Sequence, residues 1–345
     1  MSADSVPFSC GAAPAIVVSR GDLVESEHFV CHALVDEDGT VVSSSGDIDR
    51  PVYMRSSAKP LIATAVVRSG AADRFGLNEH EIALAAASHN GEPAQVASVR
   101  DMLAKTGLDA SEFQCGAHAP SHEPSAQALC LAGHLPQPVH NNCSGKHAGI
   151  LALAVQLGAD PSGYLAPDHP AQQAILQTCA DLLGVPQTSF VVGIDGCGIP
   201  VIAVPMRTVA RFFARFGTGN KIPVEYRTAL ARVRSAMLAH PWYVAGSGRF
   251  DTDLMLAAHP RVVCKGGAEG YHASALIEQR LGLTVKVADG NYRAVSPFVL
   301  ATLARVGAVG EVALGALAKH RRPVIRNHAG TVIGRVDLAS GFQKT

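Results

Sequence analysis

The chain carries little charge and no excess of either sign. Asp, Glu, Lys and Arg make up 17% of its 345 residues, below the usual share, and the formal net charge is +0. No run of Lys or Arg stands out, so nucleic-acid binding has no electrostatic support. No apolar run approaches the roughly 18 residues of a membrane span. The first 19 residues contain no Lys or Arg and no sustained apolar run, whereas a secretory leader needs both. The eight cysteines include no CxxC and no repeated spacing. Without an export signal they read as reduced thiols in a cytoplasm. No internal repeat or low-complexity linker breaks the chain. What remains is a sequence 48% hydrophobic, long enough for a large core and one or two domains.

Strand signals gather near both ends. "AIVVSRG" and "FVCHALVDEDGTVVSSSG" read as strands joined by tight turns, and "RVVCKGG", "LTVKVADG" and "RPVIRNHAGTVIGRVDL" as strands after residue 260. Between them the period is helical. Ser57 to Gly70 is one expected helix, with Pro60 in its first turn. "NEHEIALAAAS" has Asn78 as its N-cap, and "SGKHAGILALAVQLG" has Ser144. "SFVVGIDGCGIPVIAVPM" is β-branched and broken by a glycine-rich turn. The expected class is α+β. A sheet built from about 12–55 and 260–340 packs with helices, and a mostly helical region of about 56–259 is inserted between. The rival is a doubly wound sheet.

Three short motifs carry chemistry. "MRSSAKP" sets Ser56 and Lys59 one helical turn apart, where a lysine can serve as base to a hydroxyl if burial keeps it neutral. Ser57, at the next position, points about 100° away. "SHNG" supplies Ser88 and Asn90, and "CKGG" supplies Lys265. In this order SxxK, SxN and KxG belong to active-site serine acylases. Gly266 departs from that pattern, which usually has a hydroxyl there, and the interval from Ser56 to Ser88 is short. Each motif also has a plainer reading as a cap or a turn.

A second cluster joins "HNNCSGKHAG" to "GIDGCGIP". Cys143 and Cys197 could give two thiolates to a soft metal, with His147 the next ligand on chemistry alone. They could equally be two buried small apolar groups. In "AHPWYVAGSGRFDTDLM", Arg249, Asp251 and Asp253 are candidates for gripping a charged substrate. Alternatively, Asp251 caps a helix.

Taken together, "MRSSAKP", "SHNGE", "NNCSGKHAG", "GIDGCGIP", "HPWYVAGSGRFDTDLM", "KGGAEG" and "DGNYRA" resemble the L-asparaginases of the rhizobial type, also called class 3. The resemblance runs from about residue 14 to 340. It implies a fold like that of serine β-lactamases and glutaminases. It implies two Ser–Lys pairs in one pocket, Ser56 with Lys59 and Ser88 with Lys265. It also implies a zinc ion held by Cys143, Lys146 and Cys197, with Asp195 beside it. A lysine ligand is unusual, because its amine must be neutral to donate, yet here the resemblance overrules His147. Arg55, Asn90, His147, Asp195 and Arg249 are the candidates for holding substrate. A homodimer is the implied assembly.

The expected activity is hydrolysis of L-asparagine to aspartate and ammonia through an ester on serine. A β-lactamase-like or glutaminase activity is the alternative within hydrolases. A zinc- or amino-acid-binding protein without catalysis is the alternative outside them.

Overall fold

The computed structural model describes Cys10 and residues 13–343. The described strands pair antiparallel throughout, in three sheets. The largest has the order Val41–Ser45, Val30–Asp36, Leu281–Val287, Tyr271–Leu276, Val262–Gly267. A second runs Val324–Arg326, Val332–Leu338, Ile16–Arg20, Leu23–His28. Both draw strands from the two ends of the chain. The fold is α+β, and among the described residues no parallel pairing supports the doubly wound rival.

The central strands are almost wholly buried. Helix Met206–Thr218 lies across Val30–Asp36, Leu281–Val287 and Tyr271–Leu276. Helix Val295–Arg305 touches the five-stranded sheet and Val332–Leu338 of its neighbour. Strands covered in this way read as continuous apolar runs rather than alternating ones.

The sequence reading expected one sheet, and two further sheets are present. The third, Pro51–Tyr53, Pro200–Pro205, Val191–Ile194, joins the apolar hairpin of the middle region to the strand that precedes "MRSSAKP". This pairing fixes the distance between two motifs 140 residues apart.

The helix after that strand begins differently from expectation. Arg55–Ala58 is a 3₁₀ turn, and the α-helix is Lys59–Arg68 with Pro60 in its first turn. It is surrounded by Ser144–Gln156, Pro170–Leu183 and Arg227–Ala239, so every residue from Lys59 to Val67 is buried. Asn78 caps Glu79–Ala85 in a capping box with Glu81, as read. Ser144 does not cap. It is the first helical residue, and its hydroxyl donates to Val139 O.

Cys10 and Cys31 form a disulfide, their Cα atoms 4.5 Å apart, so the expectation of eight reduced thiols fails there. No spacing rule marks that pair in the sequence. Among the described residues, no helix is long and apolar enough to cross a membrane.

Candidate active site

The site begins at a strained backbone position. Strand Pro51–Tyr53 turns into the 3₁₀ segment through Arg55, whose φ is 48°, in the left-handed region. A non-glycine residue there costs of order 1 kcal/mol or more and needs outside support. Asp195 supplies it, accepting from Arg55 Nε at 2.8 Å. The turn places Ser56 next in line.

Three serines then separate by their partners. Ser57 Oγ is buried and donates to Met54 O at 2.7 Å. Ser88 Oγ accepts from Lys59 Nζ at 2.8 Å. Among the described residues Ser56 Oγ has no hydrogen-bond partner, and Ser56 is only half-buried. Ser56, Arg55, Lys59, Lys146 and Asp195 line one small cavity of about 30 Å³.

Lys59 therefore sits differently from the expected pairing. Its Nζ meets Ser88 Oγ, Ala87 O at 2.6 Å and Cys143 Sγ at 3.3 Å, and makes no hydrogen bond to Ser56. Burial pushes its pKa below the usual lysine value, and the nearby Lys146 adds to this, while Cys143 opposes it. Lys265 Nζ donates to Gly266 O at 2.7 Å and lies 3.5 Å from Asp251 Oδ2, with no hydrogen bond to Ser88. Burial lowers its pKa to about 8, against the pull of Asp251.

The thiol cluster is assembled. Lys146 Nζ is 2.8 Å from Cys197 Sγ, and Cys197 Sγ is 3.5 Å from Asp195 Oδ2. The neighbouring Cys197 holds the Cys143 thiol well down, against its burial, while Cys143 and burial push that of Cys197 up. Burial would lower the pKa of Lys146, but the two cysteines hold it above the ordinary lysine value. Two soft sulfurs and a lysine nitrogen, once the lysine has shed its proton, form a donor set that would suit zinc. No group of three His, Cys, Asp or Glu placed to hold a metal occurs among the described residues. This set has only two cysteines and a lysine. His147 is directed elsewhere: its Nδ1 is 2.7 Å from Tyr164 OH, and burial holds its pKa well below the usual value.

Asn90 and Arg249 meet each other, outside the lining of that small cavity. Arg249 Nη1 donates to Asn90 Oδ1 at 3.0 Å, and Asn90 Nδ2 donates to Ser247 O at 3.0 Å. Glu92 anchors the same loop, accepting from Ser247 N at 2.7 Å and Ser247 Oγ at 2.8 Å. Gly246 is required here: its φ is 108°, and a Cβ would lie 2.6 Å from Asn90 Nδ2.

Residues 16–338 match the L-asparaginase II family. The chain belongs to that family. Membership agrees with the resemblance carried by the motifs. Similar solved structures include Mglu in its tris and glutamate form, at 15% identity and a TM-score of 0.38, covering 88% of this chain and 64% of that one. The chain thus spans under two thirds of the length of Mglu. A β-lactamase from Mycobacterium bovis is similar at 14% identity and a TM-score of 0.40, covering 85% and 95%. No curated protein matches.

Within this L-asparaginase II chain three residues stand differently from the alternatives weighed or were passed over. Asp251 does not cap its helix; Arg249 occupies the N-cap position, and Asp251 Oδ2 instead accepts from Gly266 N at 2.7 Å. Asp253 is paired with Lys319 and His320, each at 2.8 Å. Glu92 carried no signal beyond its place two residues after Asn90.

Proposed function

We propose that the chain hydrolyses the side-chain amide of L-asparagine through a serine ester. The observation that carries this reading is the cavity that joins Ser56 to Lys59, beside a buried Ser88–Lys59 contact. Of Ser56, Ser57 and Ser88, Ser56 alone has a hydroxyl without a partner among the described residues, on a strained turn, so it is the one free to attack. Attack on the amide carbonyl passes the serine proton to neutral Lys59, which returns it to the leaving ammonia. Water then cleaves the ester and releases aspartate. Ser88 and Lys265 relay protons, and the cation of Lys265 favours a neutral Lys59. Arg249 and Asn90 are the groups proposed to hold the substrate α-carboxylate, with Arg55 and Asp195 closing the other side.

Zinc is proposed at Cys143, Lys146 and Cys197. When bound there it would offer a Lewis-acidic point for a substrate oxygen. The chain's own residues perform the proton transfers. A homodimer remains the proposed assembly, checked by sedimentation.

One contact favours a second assignment. With Lys59 neutral, the Ser88 hydroxyl can donate to its lone pair, so Ser88 is the alternative nucleophile. Ammonia release from L-asparagine by wild type, Ser56→Ala and Ser88→Ala separates the two. We expect Ser56→Ala to lose at least about 10³-fold in kcat with the fold kept. Trapping the acyl-enzyme by mass spectrometry should place the adduct on Ser56. An adduct on Ser88 would reverse the assignment. Turnover of glutamine or nitrocefin in preference to asparagine would sink the substrate reading.

A further inference from the structure

Behind Lys265 lies a cluster that the proposed reaction does not use. Asp251 is 4% exposed, and its Oδ2 faces Gly266 N and Lys265 Nζ. Its other oxygen, Oδ1, is buried without a hydrogen-bond partner among the described residues. Oδ1 lies 3.6 Å from His272 Nδ1, which is also buried and unpartnered. The far nitrogen of His272, Nε2, is 2.7 Å from Ser274 Oγ. Two orphaned polar atoms facing each other in the core are expensive, and such cost is kept where it has a use. At 3.6 Å they do not yet bond, but a small shift joins them.

Gly266 makes the room for this carboxylate. A Cβ at that position would lie 2.5 Å from Tyr292 OH and 3.1 Å from Asp251 Oδ1. The departure from the acylase pattern, a glycine where a hydroxyl is usual, thus coincides with a carboxylate brought onto the strand.

We propose that Asp251, braced by His272, is a positioning residue that fixes the amine of Lys265 in place and keeps it protonated. This rests on the reading above, in which the cation of Lys265 favours a neutral Lys59. The groups facing Lys265 are Asp251 and Arg249 from helix Phe250–Ala257 and its cap, Lys59, and Cys264 on its own strand. His272 and Tyr292 face Asp251. Arg249 and Lys59 repel a proton on Lys265, whereas Asp251 is the charged group that holds it, beside the Gly266 carbonyl and a weaker pull from Cys264. Burial lowers the pKa of His272 to about 4, so at pH 7 the ring is neutral and braces the carboxylate without cancelling its charge.

The test reads Lys265 directly. Its amine is titrated by NMR in lysine-labelled full-length protein, the signal being assigned from its loss in Lys265→Met. Asp251→Asn keeps an acceptor for Gly266 N and removes the charge. The Lys265 pKa should then fall by at least about one unit, a tenfold loss of protonated form above it. His272→Leu should shift it the same way by less, and His272→Gln, which keeps an N–H donor, should restore it. The alkaline limb of kcat/KM should move to lower pH in the same order. An unmoved or raised titration in folded Asp251→Asn overturns the proposal. If that variant does not fold, equal titrations in the two His272 variants overturn it. A wild type with no amidase activity would end the asparaginase reading, while the NMR titration would still decide this one.

Discussion

Lys59, Lys146 and Lys265 are each 1% exposed, and each meets a different answer to the cost of a buried charge. Lys146 has two thiols, Lys265 has one carboxylate, and Lys59 tends to give up its proton. For Lys265 the sign of the pH effect follows. Its folded pKa of about 8 lies below the unfolded value of about 10.4. Below pH 8 both states carry the proton and the folded state bears the burial cost. Between about 8 and 10.4 the folded state sheds its proton first, so stability rises with pH. Relative to Lys265→Met, wild type should therefore gain stability between pH 7.5 and 9.5, read from urea midpoints. Ser57 offers a control at the same scale. Ser57→Ala should cost about 1 kcal/mol by denaturation and leave turnover near wild type, because its hydroxyl is spent on Met54 O. Much of the candidate site was legible here, since serine, lysine and cysteine in short motifs carry chemistry by residue type alone. The pairing was not. That Lys59 meets Ser88 and Cys143 depends on side chains 29 and 84 positions away in the chain, which no local spacing encodes.

The loop and strand junctions decide where those residues stand. Periodicity located most helices, and Asn78 was read correctly because a capping box is local. The 3₁₀ start at Arg55 was not visible, because the cause is the hairpin Val191–Pro205 pairing with Pro51–Tyr53 and delivering Asp195 to Arg55. The loop Gly246–Gly248 depends in the same way on Glu92, a partner from a distant helix cap. Gly246→Ala should displace Asn90 and with it Arg249. We expect KM for asparagine to rise by about tenfold or more, with kcat less affected, in steady-state kinetics. An unchanged KM would remove Asn90 and Arg249 from substrate binding.

At the scale of the whole chain, the thiol cluster joins two regions of sequence, one at the start of helix Ser144–Gln156 and one in a turn 50 residues on. Zinc bound there would link them. Purified protein should hold about one zinc per chain by elemental analysis, and Cys143→Ser with Cys197→Ser should lose it. Chelation should lower the melting temperature of wild type and leave the double variant unmoved. The discontinuous architecture could be read from strand signals at both ends of the sequence, whereas the split into separate sheets follows from which strand edges meet in space. Val30–Asp36 is flanked by Val41–Ser45 and by Leu281–Val287, so one side waits for a segment made some 245 residues later. During translation, that apolar strand has a bare edge until Leu281–Val287 has left the ribosome. Lys265 is likewise among the last of the proposed catalytic groups to emerge. A nascent chain stopped before Lys265 exposes a bare, apolar strand edge of the kind that aggregates, and it also lacks that proposed group.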